Sequence, residues 1–300
     1  MGPRILVTSN GYGGGGRRIL VVGGLLAATV VGVNAYRFFN NQEPDMTLSR
    51  LRFTPIKLQS STQLTHDVKR LTFALDNPNN RMGFTASSAV LFRVKLANGK
   101  SEWRPYTPVS TETQRGTCDF IIKRYDHGTV SPVMHGLEPG DQVEVWGPIP
   151  FIKYEPGKYQ DVGLIAGGSG ITPCLQLARR IVGDPSDHTR VTLLFSNKTA
   201  DDVILKEELD RIAAQFPSKF SVHYIVDKPP AKNKWTGLVG RVDADVVEKV
   251  MPPAGKSTFI GICGPPGMVA TISGDRPNPM AQGRIGGVLK ELGYTNVFKF

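Results

Sequence analysis

Cysteine is scarce in this sequence: only Cys118, Cys174 and Cys263 occur among 300 residues. They are odd in number and far apart, so they form neither a disulfide framework nor the close pairs typical of zinc and iron–sulfur sites. The five histidines are scattered as well, and no two of them stand at ligand spacing. We therefore expect no metal centre.

Acidic residues are absent before Glu43, a stretch that holds Arg4, Arg17, Arg18 and Arg37. These arginines supply four of the ten net positive charges, so the rest of the chain has a modest basic bias. That bias favours an acidic partner or an anionic surface only weakly, since ordinary solvated lysines explain it equally well. No lysine- and arginine-rich run with interleaved aromatics occurs, which argues against nucleic-acid binding.

One long run lacks any charge: ILVVGGLLAATVVGVNAY, residues 19–36. As a helix it would rise about 27 Å, close to the roughly 30 Å hydrocarbon core of a bilayer. Arginines flank it, and Tyr36, Phe38 and Phe39 suit the membrane interface. The run predicts a transmembrane anchor at about 19–36. A cleaved secretory signal and a buried core helix are the alternatives.

The start of the chain also has the arginine-bearing, acid-free character of a mitochondrial targeting segment. It predicts single-pass insertion in the mitochondrial outer membrane or exposure to the intermembrane space, with the endoplasmic reticulum membrane as the alternative. Residues 40–46 form a polar linker, so residues 1–46 are assigned to targeting, anchor and linker. The whole sequence is 40% hydrophobic and 21% charged, an ordinary globular composition, and 300 residues suit roughly two domains.

Residues 47–156 show short alternating runs separated by turn sequences such as NPNN, NG and EPGD. Strands are predicted in FTPIKLQSSTQ, VKRLTFALD, VLFRVKLANGK, CDFIIKRYD and QVEVWGP. Several short strands with little helical periodicity indicate an antiparallel β-barrel. Among them lies WRPYTPVS (103–110), whose two prolines are awkward in an inner strand because proline donates no backbone hydrogen bond.

Two further patterns occur in this half of the chain. IIKRY places Lys123 and Tyr125 on one strand face, with Arg124 opposite. HGTVSPVMHGL (127–137) suits a turn that opens a short helix, whose N–H groups would favour a phosphate group. An ordinary helix cap is the commoner explanation of the second pattern.

Residues 157–300 alternate between hydrophobic runs and helical patterns. The runs 161–168, 190–197, 220–227 and 257–264 predict buried parallel strands. Helices are predicted over 173–182, 202–216, 243–251 and 284–292. This alternation indicates a doubly wound parallel sheet.

Two of these strands end in sequences that suit ligand binding. In AGGSGITPC, Gly168-Ser169-Gly170 resembles the start of a dinucleotide fingerprint, but Pro173 stands in place of the third glycine. The glycines suit either a close ligand or tight packing of strand against helix. ICGPPGM (262–268) forms a rigid rim at the carboxyl end of a parallel strand, where open α/β sheets bind ligands.

In this order, RPYTPVS, KRY with GTVS, GGSGITP and CGPPGM resemble the ferredoxin-reductase-type flavoproteins. Among these, the NADH–cytochrome b5 reductase family is the most similar. The apolar N-terminal run and the ending GYTNVFKF favour its mitochondrial fungal type. The resemblance covers about residues 50–300. It implies an FAD-binding barrel domain over 47–156 and an NADH-binding α/β domain over 157–300.

The resemblance also implies which barrel residues contact FAD. Arg104 would clamp the diphosphate, and residues 128–131 would hold it through backbone amides and a hydroxyl. Thr129 and Val130 differ from the residues of many relatives, so only their backbone role carries over. The full implied set is Arg104, Pro105, Tyr106, Thr107, Ser110, Lys123, Tyr125, Gly128, Thr129, Val130 and Ser131.

For the nicotinamide side, the resemblance implies Gly168, Ser169, Gly170, Thr172, Cys263, Gly264, Pro265, Pro266 and Met268. Ser169, Thr172 and Cys263 are the candidate catalytic residues, and Ser169 replaces a commoner threonine. Asp227 stands at a position that disfavours the 2′-phosphate of NADPH. Phe300 matches a final aromatic that covers the flavin face.

The implied activity is hydride transfer from NADH to FAD, followed by single-electron transfer to a small acidic haem protein such as cytochrome b5. A monomer is expected. Such chemistry needs no protein acid–base pair, which agrees with the lack of a Ser/His/Asp constellation. Two alternatives stay open: the reductase module of another electron-transfer chain, and a membrane-tethered nucleotide-binding protein without turnover.

Overall fold

A computed structural model describes residues 45–230, 235–278 and 281–300 of the chain. The predicted anchor at 19–36 and the targeting segment lie outside the described residues. Within those ranges, none of the helices has the length and apolar character that a membrane span requires.

Six antiparallel strands form the first sheet. They are β1 (Thr54–Thr65), β2 (Val68–Ala74), β3 (Ser88–Lys95), β4 (Ser101–Tyr106), β5 (Thr117–Lys123) and β6 (Gln142–Pro150). Their order is β4-β3-β6-β1-β2-β5. The rings of Phe73, Phe92 and Phe120 fill the interior, and Phe92 meets Phe120 edge-on with centroids 4.7 Å apart. Alternate side chains of the strands supply this core, as the sequence alternation predicts.

The chain that follows β4 brings the two ends of this strand order together. β4 pairs with β3 alone, and such an edge position accommodates Pro105. Pro108 forms an antiparallel bridge with Phe120 of β5, and the Val109 N–H donates to the carbonyl of Asp119 over 2.9 Å. The sheet therefore closes on itself, as the predicted barrel requires.

The second sheet is parallel throughout. Its strands are β7 (Asp161–Gly167), β8 (Arg190–Thr199), β9 (Phe220–Lys228), β10 (Leu238–Val239), β11 (Thr258–Cys263) and β12 (Val297–Lys299). They lie in the order β10-β9-β8-β7-β11-β12. The four strands predicted from hydrophobic runs are confirmed, whereas β10 and β12 are too short to show a pattern.

The helices are α1 (Ser131–His135), α2 (Ile171–Val182), α3 (Lys206–Gln215), α4 (Ala244–Val250), α5 (Pro266–Ser273) and α6 (Gly287–Glu291). The helix predicted over 202–216 begins only at Lys206, because Leu205 adopts a left-handed φ of 59°. The helix predicted over 284–292 is shorter in the structure, where α6 covers only Gly287–Glu291. α5 was not predicted, although Pro266 in its first turn suits a helix start.

The two sheets share apolar packing. Val68, Val109 and Ile121 of the first sheet belong to the same buried cluster as Leu175 and Ala178 of α2. The described residues accordingly form one compact unit. The boundary expected between residues 156 and 157 stays a prediction.

Candidate functional site

A cleft of about 320 Å³ lies between the two sheets. Its wall on the barrel side consists of Ala89, Pro105, Tyr106, Thr107, Ile121, Lys123, Tyr125 and Phe151. The opposite wall consists of Ser169, Gly170, Thr172, Pro173, Cys263, Gly264, Arg276 and Phe300. All four sequence motifs therefore contribute to one cavity.

WRPYTPVS enters the cleft through Pro105, Tyr106 and Thr107. The Tyr106 ring packs edge-on against Phe92, with centroids 5.6 Å apart. Burial raises the pKa of Tyr106 to about 12, so its phenol stays protonated and can donate a hydrogen bond. Ser110 lies behind the cleft wall, where its Oγ accepts the N–H of Asp119 over 2.7 Å.

The KRY motif lies at the end of β5. The Lys123 ammonium is 2.6 Å from the Asp67 carboxylate. Burial raises the pKa of Asp67, but the hydrogen bond and charge of Lys123 outweigh it, so the pKa lies below its usual value. Tyr125 lies beyond the strand, not on its face as predicted. Its hydroxyl is 3.3 Å from the Ser169 Oγ, which joins this motif to GGSGITP.

Residues 128–131 form a cradle at the start of α1. A Cβ on Gly128 would lie 2.8 Å from the Ser131 Oγ and 3.1 Å from the Tyr125 carbonyl, so the turn leaves little room for a side chain. The Ser131 Oγ accepts the N–H of Tyr125 over 3.1 Å. Within the described ranges, the backbone N–H groups of Thr129, Val130 and Ser131 have no acceptor. Three adjacent donors are thus available to an anion.

Arg104 brings positive charge to this cradle. Its Nη2 lies 3.3 Å from the Thr129 Oγ1, and its Nη1 donates to the Trp103 carbonyl over 2.7 Å. The Arg104 side chain is 51% exposed, so it is accessible to a ligand. A guanidinium beside free N–H groups is a donor set that fits a diphosphate such as that of FAD.

GGSGITP and CGPPGM pack directly against each other. A Cβ on Gly170 would lie 2.4 Å from the Cys263 carbonyl oxygen, and one on Gly167 would lie 2.5 Å from the Met268 Sδ. Tight packing therefore accounts for both of these glycines. Gly168 has a φ of 53°, a left-handed conformation that favours glycine.

The candidate catalytic residues form an uncharged part of the wall. Burial raises the pKa of Cys263 to about 12 despite the nearby Arg276 charge, so the thiol stays protonated near neutral pH. The Thr172 Oγ1 donates to the Ser169 carbonyl over 3.3 Å. Because the thiolate is the nucleophilic form of cysteine, this arrangement does not suit covalent thiol chemistry.

Phe300, the residue predicted to cover the flavin face, lines the cleft. Its N–H donates to the Ile262 carbonyl over 2.9 Å, and its ring meets Phe151 edge-on with centroids 5.7 Å apart. Phe151 and Arg276 line the cleft but were not predicted. Arg276 donates to the Phe300 backbone oxygen. Neither stands in a recognisable motif, so only tertiary packing identifies them.

Several predicted residues lie outside the cleft lining. Asp227 is exposed near the carboxyl end of β9, at the sheet edge that also carries the GGSG turn. Pro265 precedes α5, while Pro266 and Met268 belong to its first turn. None of these four residues lines the cleft, so their predicted contacts with the nucleotide stay predictions.

One group of three metal-ligating side chains lies close together in the described residues: His66, Asp67 and Asp202, within 4.8 Å of one another. Lys123 already pairs with Asp67, and Asp202 accepts hydrogen bonds from the N–H and Oγ1 of Thr199. The expectation of no metal centre stays a prediction.

The closed antiparallel sheet, the parallel sheet and the cleft between them define a class, the two-domain flavin- and nicotinamide-dependent oxidoreductases. The family model of the oxidoreductase FAD-binding domain matches residues 55–154, and that of the oxidoreductase NAD-binding domain matches residues 164–274. The cytochrome b5 reductase domain of Ulva prolifera nitrate reductase is similar in structure, with a TM-score of 0.74 and 29% identity. That likeness covers 85% of this chain and 99% of the other.

Two relatives identify the family more narrowly. NADH-cytochrome b5 reductase 2 of Phaeosphaeria nodorum is 41% identical over 83% of this chain and 75% of its own length. Its namesake in Meyerozyma guilliermondii is 40% identical over 82% of this chain and 83% of its own length. The chain belongs to the NADH–cytochrome b5 reductase family, which confirms the resemblance seen in its motifs.

Proposed function

We propose that the protein is an FAD-dependent reductase that takes a hydride from NADH and passes single electrons to cytochrome b5. The observation that carries this proposal is the cleft, in which the walls of an FAD-binding and an NAD-binding domain face each other. Bound FAD supplies the step from two-electron to one-electron transfer. The relatives of the chain are named for this activity.

On the barrel side, the residues bind and orient FAD. Arg104 and the N–H groups of residues 129–131 would hold the diphosphate, since together they offer charge and directed donors. Tyr106 and Thr107 would face the isoalloxazine ring and ribityl chain. Lys123, which Asp67 holds in place, would complete this wall. The other residues proposed to form this FAD-binding side are Pro105, Ser110, Tyr125, Gly128 and Ser131.

On the opposite side, the residues orient the nicotinamide and exclude water. Ser169, Thr172 and Cys263 offer neutral polar groups at the point where the two cofactors would meet. Phe300 would cover the flavin face, and Asp227 would repel the 2′-phosphate of NADPH. We assign the shape of the pocket to Gly168, Gly170, Gly264, Pro265, Pro266 and Met268.

An anaerobic titration tests the proposed activity. The purified protein should be yellow, stoichiometric NADH should bleach its flavin absorbance, and NADPH should do so less effectively. Oxidised cytochrome b5 added afterwards should restore the absorbance and appear in its reduced form. A colourless protein that binds nucleotide without turnover would contradict the proposal. Faster reduction of an iron–sulfur protein than of cytochrome b5 would favour the reductase-module alternative.

We further propose that residues 19–36 anchor a monomer in the mitochondrial outer membrane, with the endoplasmic reticulum membrane as the alternative. The uncharged run and its flanking arginines support this proposal. Fractionation of cells that express the full chain should place it with outer-membrane markers, resistant to alkaline carbonate. Release by carbonate would refute the anchor, and a dimer mass in detergent would refute the monomer.

A further inference from the structure

Helix α2 touches both halves of the cleft. Its first turn contributes Thr172 and Pro173 to the cleft wall. One and two turns further along, Gln176 and Arg179 reach across to the barrel. Because an α-helix is stiff over this length, a contact at one end constrains the position of the other.

The Gln176 contact is buried. Its Oε1 accepts the N–H of Ser88 over 2.8 Å, and both residues are almost inaccessible to solvent. Ser88 is the first residue of β3 and directly precedes Ala89, which lines the cleft. This bond therefore fixes the barrel wall of the cleft to α2.

The Arg179 contact reaches the flavin-side segment itself. Its Nη1 donates to the carbonyl of Val109, which follows Tyr106 and Thr107 by only a few residues. Its Nη2 pairs with Glu208 on α3, and the Arg179 and Glu208 side chains are only 28% and 22% exposed. The guanidinium is thus held by one half of the molecule while it binds the other.

Val109 is held from two directions. Its N–H donates to Asp119 of β5 over 2.9 Å, and its carbonyl accepts from Arg179. Its side chain packs in the buried cluster that contains Leu175 and Ala178 of α2. Close-packed interiors resist displacement, so this contact has little freedom to slide.

We propose that Gln176 and Arg179 are positioning residues that set the distance between the flavin-side segment 104–110 and the nicotinamide-side turn 168–172. The inference rests on the proposed function. Hydride transfer requires the reacting atoms to lie about 3–3.5 Å apart, so a small shift between these walls slows transfer. Each wall would still bind its own cofactor, because neither residue lines the cleft.

The test compares Arg179→Gln with Arg180→Gln. Arg180 is the next residue on the same helix, but its side chain is 43% exposed and pairs with Asp184 at the surface. Anaerobic stopped-flow gives the flavin reduction rate at saturating NADH and the Kd for NADH. We expect Arg179→Gln to slow reduction on the order of tenfold to a hundredfold, with full FAD content and a nearly unchanged Kd. Arg180→Gln should match the wild type, and Arg179→Lys should recover part of the rate.

A normal reduction rate in Arg179→Gln overturns the inference. If that variant loses FAD or does not fold, Glu208→Gln is the second variant, because it removes the charge that orients Arg179 and keeps the side-chain size. A normal rate there also overturns it, and a slow rate with full FAD supports it.

Hydrogen exchange separates this inference from the proposed function. The backbone amides of Thr107, Val109 and Ser110 should exchange faster in Arg179→Gln than in Arg180→Gln, whether or not NADH reduces the flavin. If exchange is faster in Arg179→Gln but NADH does not reduce the flavin of the wild type, the Arg179 contact is supported and the proposed activity is refuted. Equal exchange in the two variants would refute the contact.

Discussion

The polar side chains of the cleft walls are mostly neutral or internally paired. Tyr106 and Cys263 are partly buried, and this desolvation raises the pKa of each to about 12, so both stay protonated under ordinary conditions. Lys123 is matched by Asp67. Arg104 lies outside the cleft lining, with its Nη1 3.4 Å from the Glu102 carboxylate and its Nη2 3.3 Å from the Thr129 Oγ1. Because an exposed ion pair of this kind is weak, the guanidinium stays available to an anion at residues 129–131.

Replacement of Arg104 by alanine should weaken FAD binding. Hydrogen bonds to charged groups contribute about 1.5–3 kcal/mol each, which corresponds to a rise in the FAD Kd of roughly tenfold to a hundredfold. The ratio of flavin to protein absorbance after gel filtration, and titration of the apoprotein with FAD, measure the effect. Arg115→Ala is the control, because that side chain is equally exposed at 51% and pairs with Asp45. Unchanged flavin retention in Arg104→Ala would refute the assignment of Arg104 to the FAD diphosphate.

Some elements of the fold can be predicted from local sequence pattern, whereas others depend on packing against distant parts of the chain. The parallel strands β7, β8, β9 and β11 were predictable because buried strands appear as continuous hydrophobic runs. β10 and β12 have two and three residues, too few for any periodicity.

WRPYTPVS shows both sides of this distinction. Its prolines indicate an edge strand from sequence alone, and β4 is an edge strand. That the residues after β4 return to bridge β5 depends on a partner distant in sequence. The four motifs likewise suggested a shared site, but Phe151 and Arg276 enter it only through tertiary contacts.

The close contact between GGSGITP and CGPPGM leads us to expect that Gly170 is required for stability. Gly170→Ala should destabilise the protein by about 1–3 kcal/mol, because the added methyl meets the Cys263 backbone and overpacks the contact. Gly267→Ala is the matched control. It lies in α5, nothing stands within 4 Å of the added atom, and alanine favours a helix by up to about 1 kcal/mol. Urea denaturation should show a lower midpoint for the first variant and an equal or higher one for the second. Equal midpoints for Gly170→Ala and the wild type would contradict the tight contact.

The molecule as a whole combines a rigid centre with a basic surface. The shared buried cluster and the α2 contacts join the two sheets, so the cleft is largely preformed. Four of the ten net positive charges lie before Glu43, so the rest of the chain carries a net charge of +6 and gives this frame a modest positive field. A rigid site with a field of one sign suits repeated brief encounters with an acidic electron acceptor, since the field affects the encounter rate more than the bound geometry.

Salt should therefore slow the reaction with cytochrome b5. The Debye length falls from about 30 Å at 0.01 M to about 3 Å at 1 M, which screens attraction before contact. We expect kcat/KM for cytochrome b5 to fall by roughly tenfold or more over this range, within the span that steering provides. The value of kcat at saturating cytochrome should change little, because steering acts on the encounter and not on the bound complex. Steady-state assays at fixed saturating NADH measure both quantities. A kcat/KM that stays constant from low to high salt would show that the positive field of the protein does not guide its partner.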